Sequence, residues 1–341
     1  MSRLQTDVEH LLDHADWMNL QGQPLEAITV FGEVLDRLSN EIASSLQSKA
    51  LRGVGLAFRT LGEINESQLA YEEALEVARA CADPAEEAEA LNGLAVAHQL
   101  AGQPAEAESL YEQAVQIAID EGLFQLTGVL QQNRGVMASE RGDFVSAREC
   151  YRSALECFEA VVDTTGTCWT LNNLGLLSAE TGHLIEALDY FDQAREVSNQ
   201  ASDRALGVRI EINRAHALME AEEWELASLT LDTAVGVART TNSPILVAEG
   251  LRYMAQVERR SGRPWNGLRW IRQAMETAES CPDALLVAET KREAGACWAA
   301  LGDETRARAA WKDASKRFGR AGALRDQALV DQLLSELGSP P

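Results

Sequence analysis

Asn133, Asn173 and Asn213 stand forty residues apart, and seven residues after each comes a glutamate, Glu140, Glu180 and Glu220. On a helix a seven-residue step is two turns along one face, so each amide has a carboxylate on its own side. Asn92, Gln132 and Asn172 form a second row with the same spacing. An amide side chain offers an acceptor oxygen and two donor hydrogens. A row of them suits a bound peptide's backbone whatever its sequence, or else hydrates a polar wall. The glutamates suit an arginine or lysine on a ligand, or are ordinary exposed helix ends. Further along, Arg209, Arg252, Arg259, Arg260 and Arg292 are forks that can take carboxylates bidentately. They serve an acidic partner segment or pair with neighbours such as Glu249 and Glu289. Trp169 is a large apolar residue among these positions, of a type enriched in binding hot spots, unless it packs between helices.

Other chemistries have no visible support in the sequence. His10 and His14 lie one turn apart beside Glu9 and Asp13, a spacing that can chelate a metal, but on a polar end of the chain. The six cysteines, at 81, 150, 157, 168, 281 and 297, show no paired ligand spacing. No scaffold fixes a Ser/His/Asp or Cys/His set together, and no glycine-rich phosphate loop is present. The reading is a non-enzyme, with no catalytic residue, no metal site and no cofactor.

The elements that must position the amides follow from a ruler. Glycine recurs every forty residues at 22, 62, 102, 142, 182, 262 and 302, with Glu222 filling the remaining slot. Seven residues before each mark stands a small residue: Ala15, Gly55, Ala95, Gly135, Gly175, Ala215, Ala255 and Gly295. Nine after it stand Phe31, Tyr71, Tyr111, Tyr151, Phe191, Leu231, Ile271 and Trp311. Five after it the residue is alanine except at Ser67 and Gly267, and twelve after it alanine except at Val34. Apolar residues at three- and four-residue steps on both sides of the mark predict two amphipathic helices per copy, near 169–181 and 184–198 in the fifth. The glycine is the left-handed turn between them, and Pro24, Pro104 and Pro264 open second helices. A fixed period is the signature of a stacked repeat. The expected fold is all-α: eight helical hairpins over about 5–320, one solenoid spanning 1–341, closed by a capping helix at 323–337 with Leu324, Ala328, Leu333 and Leu337 inward. Copies six and seven are expected to be the least regular, and Trp298 and Trp311 to lie in the core.

These columns resemble the tetratricopeptide repeat family: the small residue of the first helix, the turn glycine, and the alanine, aromatic and alanine of the second helix. The forty-residue period is similar to the longer-helix forms in kinesin light chains, Pins-type scaffolds and bacterial peptide-sensing and MalT-type regulators. The resemblance implies a right-handed superhelix whose first helices line a concave groove, at six positions per copy. Those 48 positions sum to about −2, against −23 for the chain. It also implies that Asn133, Asn173 and Asn213 clamp an extended peptide. The candidate groove set is then Asn92, Gln132, Asn133, Glu140, Trp169, Asn172, Asn173, Glu180, Arg209, Asn213, Glu220, Arg252 and Arg259.

The net charge of −23 argues against nucleic acid and against anionic membrane surfaces. Residues 1–170 carry −18 of it and residues 171–341 only −5, while 291–325 is locally basic. No apolar run approaches the roughly 20 residues of a membrane span. The polar first residues lack a secretion signal, and with unpaired cysteines they point to a cytoplasmic protein. Arginine outnumbers lysine 26 to 4, a bias that suits a GC-rich bacterial genome. The expected function is a scaffold that binds another protein's extended or helical segment in its groove. The alternatives are a peptide or small-ligand sensor and a self-assembling scaffold, so homo-oligomerisation stays open.

Overall fold

The computed structural model describes residues 3–39, 44–201, 203–281 and 283–337. Among them are seventeen α-helices and no strand, and the chain divides into two compact units, Met1–Thr170 and Leu171–Pro341. The first holds α1 (Arg3–Leu20), α2 (Pro24–Leu38), α3 (Ser45–Leu61), α4 (Ile64–Ala80), α5 (Pro84–Leu100), α6 (Pro104–Asp120), α7 (Phe124–Glu140), α8 (Phe144–Ala160) and the start of α9 (Thr164–Glu180). The second holds the rest of α9 and then α10 (Leu184–Gln200), α11 (Arg204–Glu220), α12 (Trp224–Thr240), α13 (Pro244–Arg260), α14 (Pro264–Ala278), α15 (Ala284–Ala300), α16 (Glu304–Arg320) and α17 (Leu324–Glu336). Within each unit consecutive helices pack as antiparallel hairpins, and each hairpin packs on the next. This is the expected α-solenoid architecture.

The forty-residue ruler is a turn. All seven marker glycines have positive φ, and Glu222 adopts the same left-handed conformation at φ 61°. At Gly102 the turn is closed by Gly102 N–H to the Gln99 carbonyl at 3.1 Å and Gln103 N–H to the His98 carbonyl at 2.9 Å, which satisfies carbonyls a helix end leaves open. A second set of left-handed residues lies midway between the marks, at Ala82, Gly122, Val162, Asn242 and Gly322. The turns between hairpins thus repeat the geometry of the turns within them. Sequence periodicity hides this, because only two of those five residues are glycines.

The core is a size-matched interlock between the small and large columns. A Cβ placed on Gly135 would meet the Tyr151 ring at 2.6 Å, on Gly175 the Phe191 ring at 2.7 Å, and on Gly295 the Trp311 ring at 2.3 Å. Phe31 and Tyr71 also press on the next hairpin, at Gly53 and Gly93. In copies six and seven the ring is replaced by Leu231 and Ile271, the opposing residue is Ala215 or Ala255, and all four are buried. A Cβ placed on Gly267 would lie 3.0 Å from the Ala255 carbonyl oxygen and from the Cys297 sulfur, so glycine there leaves room for α13 and α15 beside α14. These copies keep the hairpin, so the expected irregularity does not appear.

Two expectations need correction. In α17 the inward residues are Val330, Leu333, Leu334 and Leu337; Leu324 is 70% exposed and Ala328 is exposed. The helix begins one turn before it meets α16, so its first residues overhang. Trp311 is core, but Trp298 is only half-buried, with Trp265 against its edge at 5.9 Å and the Arg306 guanidinium 4.6 Å from its ring centre. No helix of the described residues is long and apolar enough to cross a membrane.

Candidate functional site

In the first unit the first helices of four successive hairpins, α1, α3, α5 and α7, converge on a cleft of about 390 Å³. Its walls are groove positions: Asp16 from α1, Lys49, Arg52 and Arg59 from α3, Glu89 and Asn92 from α5, and Asn133 from α7. Gly55 and Gly93 let the Tyr71 ring reach between the helices to line it. Lys49 is drawn to Asp13 and Asp16 at 3.9 and 3.6 Å. Arg52 holds Glu86 through two nitrogens, at 2.9 and 3.1 Å, and reaches Glu89 at 3.3 Å. Burial works against the Arg52 charge, but Glu86 and Glu89 outweigh it and hold its pKa above the ordinary value. Arg59 is half-buried, and its guanidinium makes no ion pair or hydrogen bond with any described residue. The Tyr71 hydroxyl likewise has no partner among them. Burial raises the Tyr71 pKa against the pull of Arg59 and Arg52, so it stays a neutral donor.

Beside this cleft a second one of about 570 Å³ shares Arg52 and Glu89 and is otherwise largely apolar, with Leu123, Phe124, Leu126 and Val129. Phe124 is 54% exposed. Charged and apolar subsites thus share one wall. Asn92 and Asn133 of the candidate groove set line the first of these clefts, whereas its basic residues were not among the candidates. Lys49, Arg52 and Arg59, on one helix of the otherwise acidic half, were the signal available for it.

The amides form pairs. Asn133 donates to Asn92 at 2.9 Å, and Asn213 donates to Asn172 at 2.9 Å. Each pair joins neighbouring first helices and leaves amide capacity over at Asn92 and Asn133. Asn172 was expected to face the groove but is buried at 2% exposure, since it packs beneath Asn213 and donates to Asn173 at 3.5 Å. Gln132 accepts from the Thr170 hydroxyl at 3.3 Å. Glu140 accepts from Gln99 at 2.7 Å, whereas Glu180 is exposed with no partner among the described residues. Trp169 is half-buried on α9.

The arginines of the second unit are engaged internally. Arg209 pairs with Glu249 at 3.2 Å and Arg252 with Glu289 at 3.2 Å. Arg259 grips Glu293 through two nitrogens at 2.6 and 3.2 Å. Arg260 takes Glu220, and Arg292 takes Asp326. Arg252, expected in the groove, is buried and lies 4.3 Å from the centre of the Tyr253 ring. Burial disfavours its charge, but Glu289 outweighs this and the guanidinium stays charged. His216 sits edge-on to Tyr253 at 5.6 Å, and burial lowers its pKa against the pull of Glu220. Among the described residues no three His, Cys, Asp or Glu gather as a metal set. His14 instead lies flat along Trp17 at 6.0 Å.

Comparison with known proteins fits this architecture. The tetratricopeptide repeat model matches residues 46–120, 86–160 and 126–200 in overlapping windows. Among curated proteins no sequence match was found. The crystal structure of apo RapI aligns with a TM-score of 0.65 at 15% identity, covering 97% of both chains. A Rap protein complexed with Competence and Sporulation Factor aligns at 0.59 and 11%, again over 97% of both. The signal transduction ATPase PH0952 of Pyrococcus horikoshii, with its tetratricopeptide repeat sensor, aligns at 0.65 and 13% over 97% of this chain and 49% of its own. At these identities the likeness is one of fold. Residues 46–200 are thus tetratricopeptide repeats by sequence, and the residues on either side of them are built of the same helical hairpin.

Proposed function

We propose that the protein is a non-enzymatic interaction scaffold that binds a segment of another protein along its first helices. The observation that carries this is the first-unit cleft, where Arg59, the Tyr71 hydroxyl and the spare amide groups of Asn92 and Asn133 converge unspent. Amides reading a backbone and a free guanidinium taking a carboxylate describe an extended segment with an acidic side chain. The neighbouring shelf at Phe124 and Val129 would take an apolar side chain of the same segment. Three or four such hydrogen bonds, each worth roughly 0.5–1.5 kcal/mol, with one buried apolar group suggest binding near the micromolar range, about −8 kcal/mol. The sensor reading draws support from a structural neighbour with a tetratricopeptide repeat sensor and from the Rap complex. The two readings differ in whether occupancy changes the shape of the solenoid.

The test is capture from native lysate read by mass spectrometry, with the wild type beside Arg59→Gln and Asn92→Ala/Asn133→Ala. A partner held by the wild type and lost by both variants supports the cleft. A partner retained by both would move the site off the first-unit groove. Small-angle scattering of the protein with and without that partner's binding segment then separates scaffold from sensor: an unchanged solenoid envelope rejects the sensor.

A further inference from the structure

A different cavity, of about 450 Å³, lies in the second unit between the end of α10, the start of α11 and α12. The repeat itself shows why it is there. Residue 207 is glycine, whereas the same column in four other copies holds Thr127, Thr167, Val247 and Val287, all buried. Ser198 stands where Ala78, Ala118, Ala238 and Ala278 are buried, and Glu211 where Leu51, Leu91, Leu171 and Leu251 are buried. Three departures from the chain's own pattern thus fall on the wall of one cavity. Gly207 is also unlike Gly135, Gly175 or Gly295, which an aromatic ring requires. A Cβ there would meet only the Ser198 hydroxyl within 4 Å, at 3.3 Å. A glycine inside a helix costs roughly 0.5–1 kcal/mol relative to alanine, and here no packing partner demands it.

The lining is amphipathic. Val208, Ala234 and Val237 make an apolar floor, with Arg195, Ser198, Asn199 and Arg204 around it. Its two carboxylates are already engaged: Asp203 accepts the Leu206 N–H at 2.9 Å to cap α11, and Glu211 is held by Arg195 at 3.4 Å and Arg214 at 4.0 Å. Arg204 makes no ion pair with any described residue. The charge left unspent at the cavity is therefore a cation. Its volume falls in the range of small-molecule pockets, about 300–1,000 Å³.

We infer that this cavity is a binding site for a small amphipathic organic anion, its apolar body on Val208, Ala234 and Val237 and its carboxylate or phosphate on Arg204. The site is separate from the first-unit groove and does not depend on the scaffold reading. It is tested by ligand-observed NMR titration of the whole protein with hexanoate, hexyl phosphate and hexylamine. Both or either of the anions should bind and the amine should not, and the tighter anion tells carboxylate from phosphate recognition. Gly207→Thr with Ser198→Ala, which restores the repeat's own filling, should abolish binding while raising the melting temperature. Arg204→Gln, at an exposed site, should weaken anion binding about tenfold, as loss of a charge-assisted contact does, and Arg239→Gln, an exposed α12 residue outside the cavity lining, should leave it unchanged. The inference is overturned if neither anion binds, if the amine binds as well as the anions, or if the filled variant binds like the wild type. Should the filled variant fail to fold, equal affinity in Arg204→Gln and wild type is decisive against it.

Discussion

The two halves of this chain part at one groove position, although Arg52 pairs with Glu89 in the first just as Arg252 pairs with Glu289 in the second. In the second unit each fork predicted for a ligand is spent on a neighbouring repeat: Arg209 on Glu249, Arg252 on Glu289, Arg259 on Glu293. In the first unit Arg59, three residues before its turn glycine as Arg259 is before Gly262, has no such partner, because the next repeat offers Gly93 where Arg259 meets Glu293. A glycine in place of a carboxylate turns an internal clasp into an open cleft. Groove charge in a repeat protein is therefore stability where the adjacent copy answers it, and available recognition chemistry where it does not.

The largest effect should come from breaking the clasp. Glu293 is 9% exposed, accepts two bonds from Arg259 and touches the Cys297 thiol at 3.8 Å. Burial, with Glu293 adding to it, drives that thiol to a pKa of about 12, so it stays protonated beside the carboxylate. Glu293→Ala leaves a guanidinium without its partner in a mostly buried site, and should cost about 3–5 kcal/mol in urea unfolding. Glu89→Ala in the first unit removes a carboxylate that is 39% exposed, and should cost about 1 kcal/mol or less. Arg59→Gln should leave the melt unchanged to within about 0.5 kcal/mol while partner capture falls. Equal losses at Glu293 and Glu89 would erase the distinction between the halves.

The fold was legible in the sequence because a repeat states each contact eight times. The size match of Gly135 to Tyr151, or of Ala215 to Leu231, is written in two columns sixteen residues apart. The site was less legible, since pairing joins residues 34 to 41 apart across copies, and a column read alone does not show whether its neighbour answers it. Asn172 and Asn173 are adjacent in sequence and of one type, yet one is buried and the other is not. Nor did the glycine ruler disclose the turns between hairpins. Val162 holds φ 58° there while 80% exposed, a conformation costly for a β-branched residue. Val162→Gly should raise stability by about 1 kcal/mol, read as a higher melting temperature, whereas the same change at Val145, inside α8, should lower it. A fall at Val162 would mean that its side chain has a packing role the left-handed turn conceals.

The smallest expected effect separates the halves by their response to acid. Burial depresses the His216 pKa below its ordinary 6.5, with Glu220 opposing and Arg252 and Arg260 reinforcing. A histidine whose folded pKa is lowered binds fewer protons folded than unfolded near that value. Its contribution is thus full above about pH 6.5 and is lost as the pH falls through the folded value. The first-unit cleft has no histidine in its lining; of its shifted groups, burial raises the Asp16 carboxyl above its ordinary 3.8 against the pull of Lys49 and Arg52, and the Tyr71 phenol, also raised by burial, acts only above about pH 10. His216→Gln should therefore flatten part of the fall in stability between pH 7 and pH 5, measured by urea unfolding, while Tyr71→Phe leaves that limb unchanged. If the His216→Gln profile superimposes on the wild type, the imidazole is solvated in the fold and the closed character of the second groove ends at Arg252.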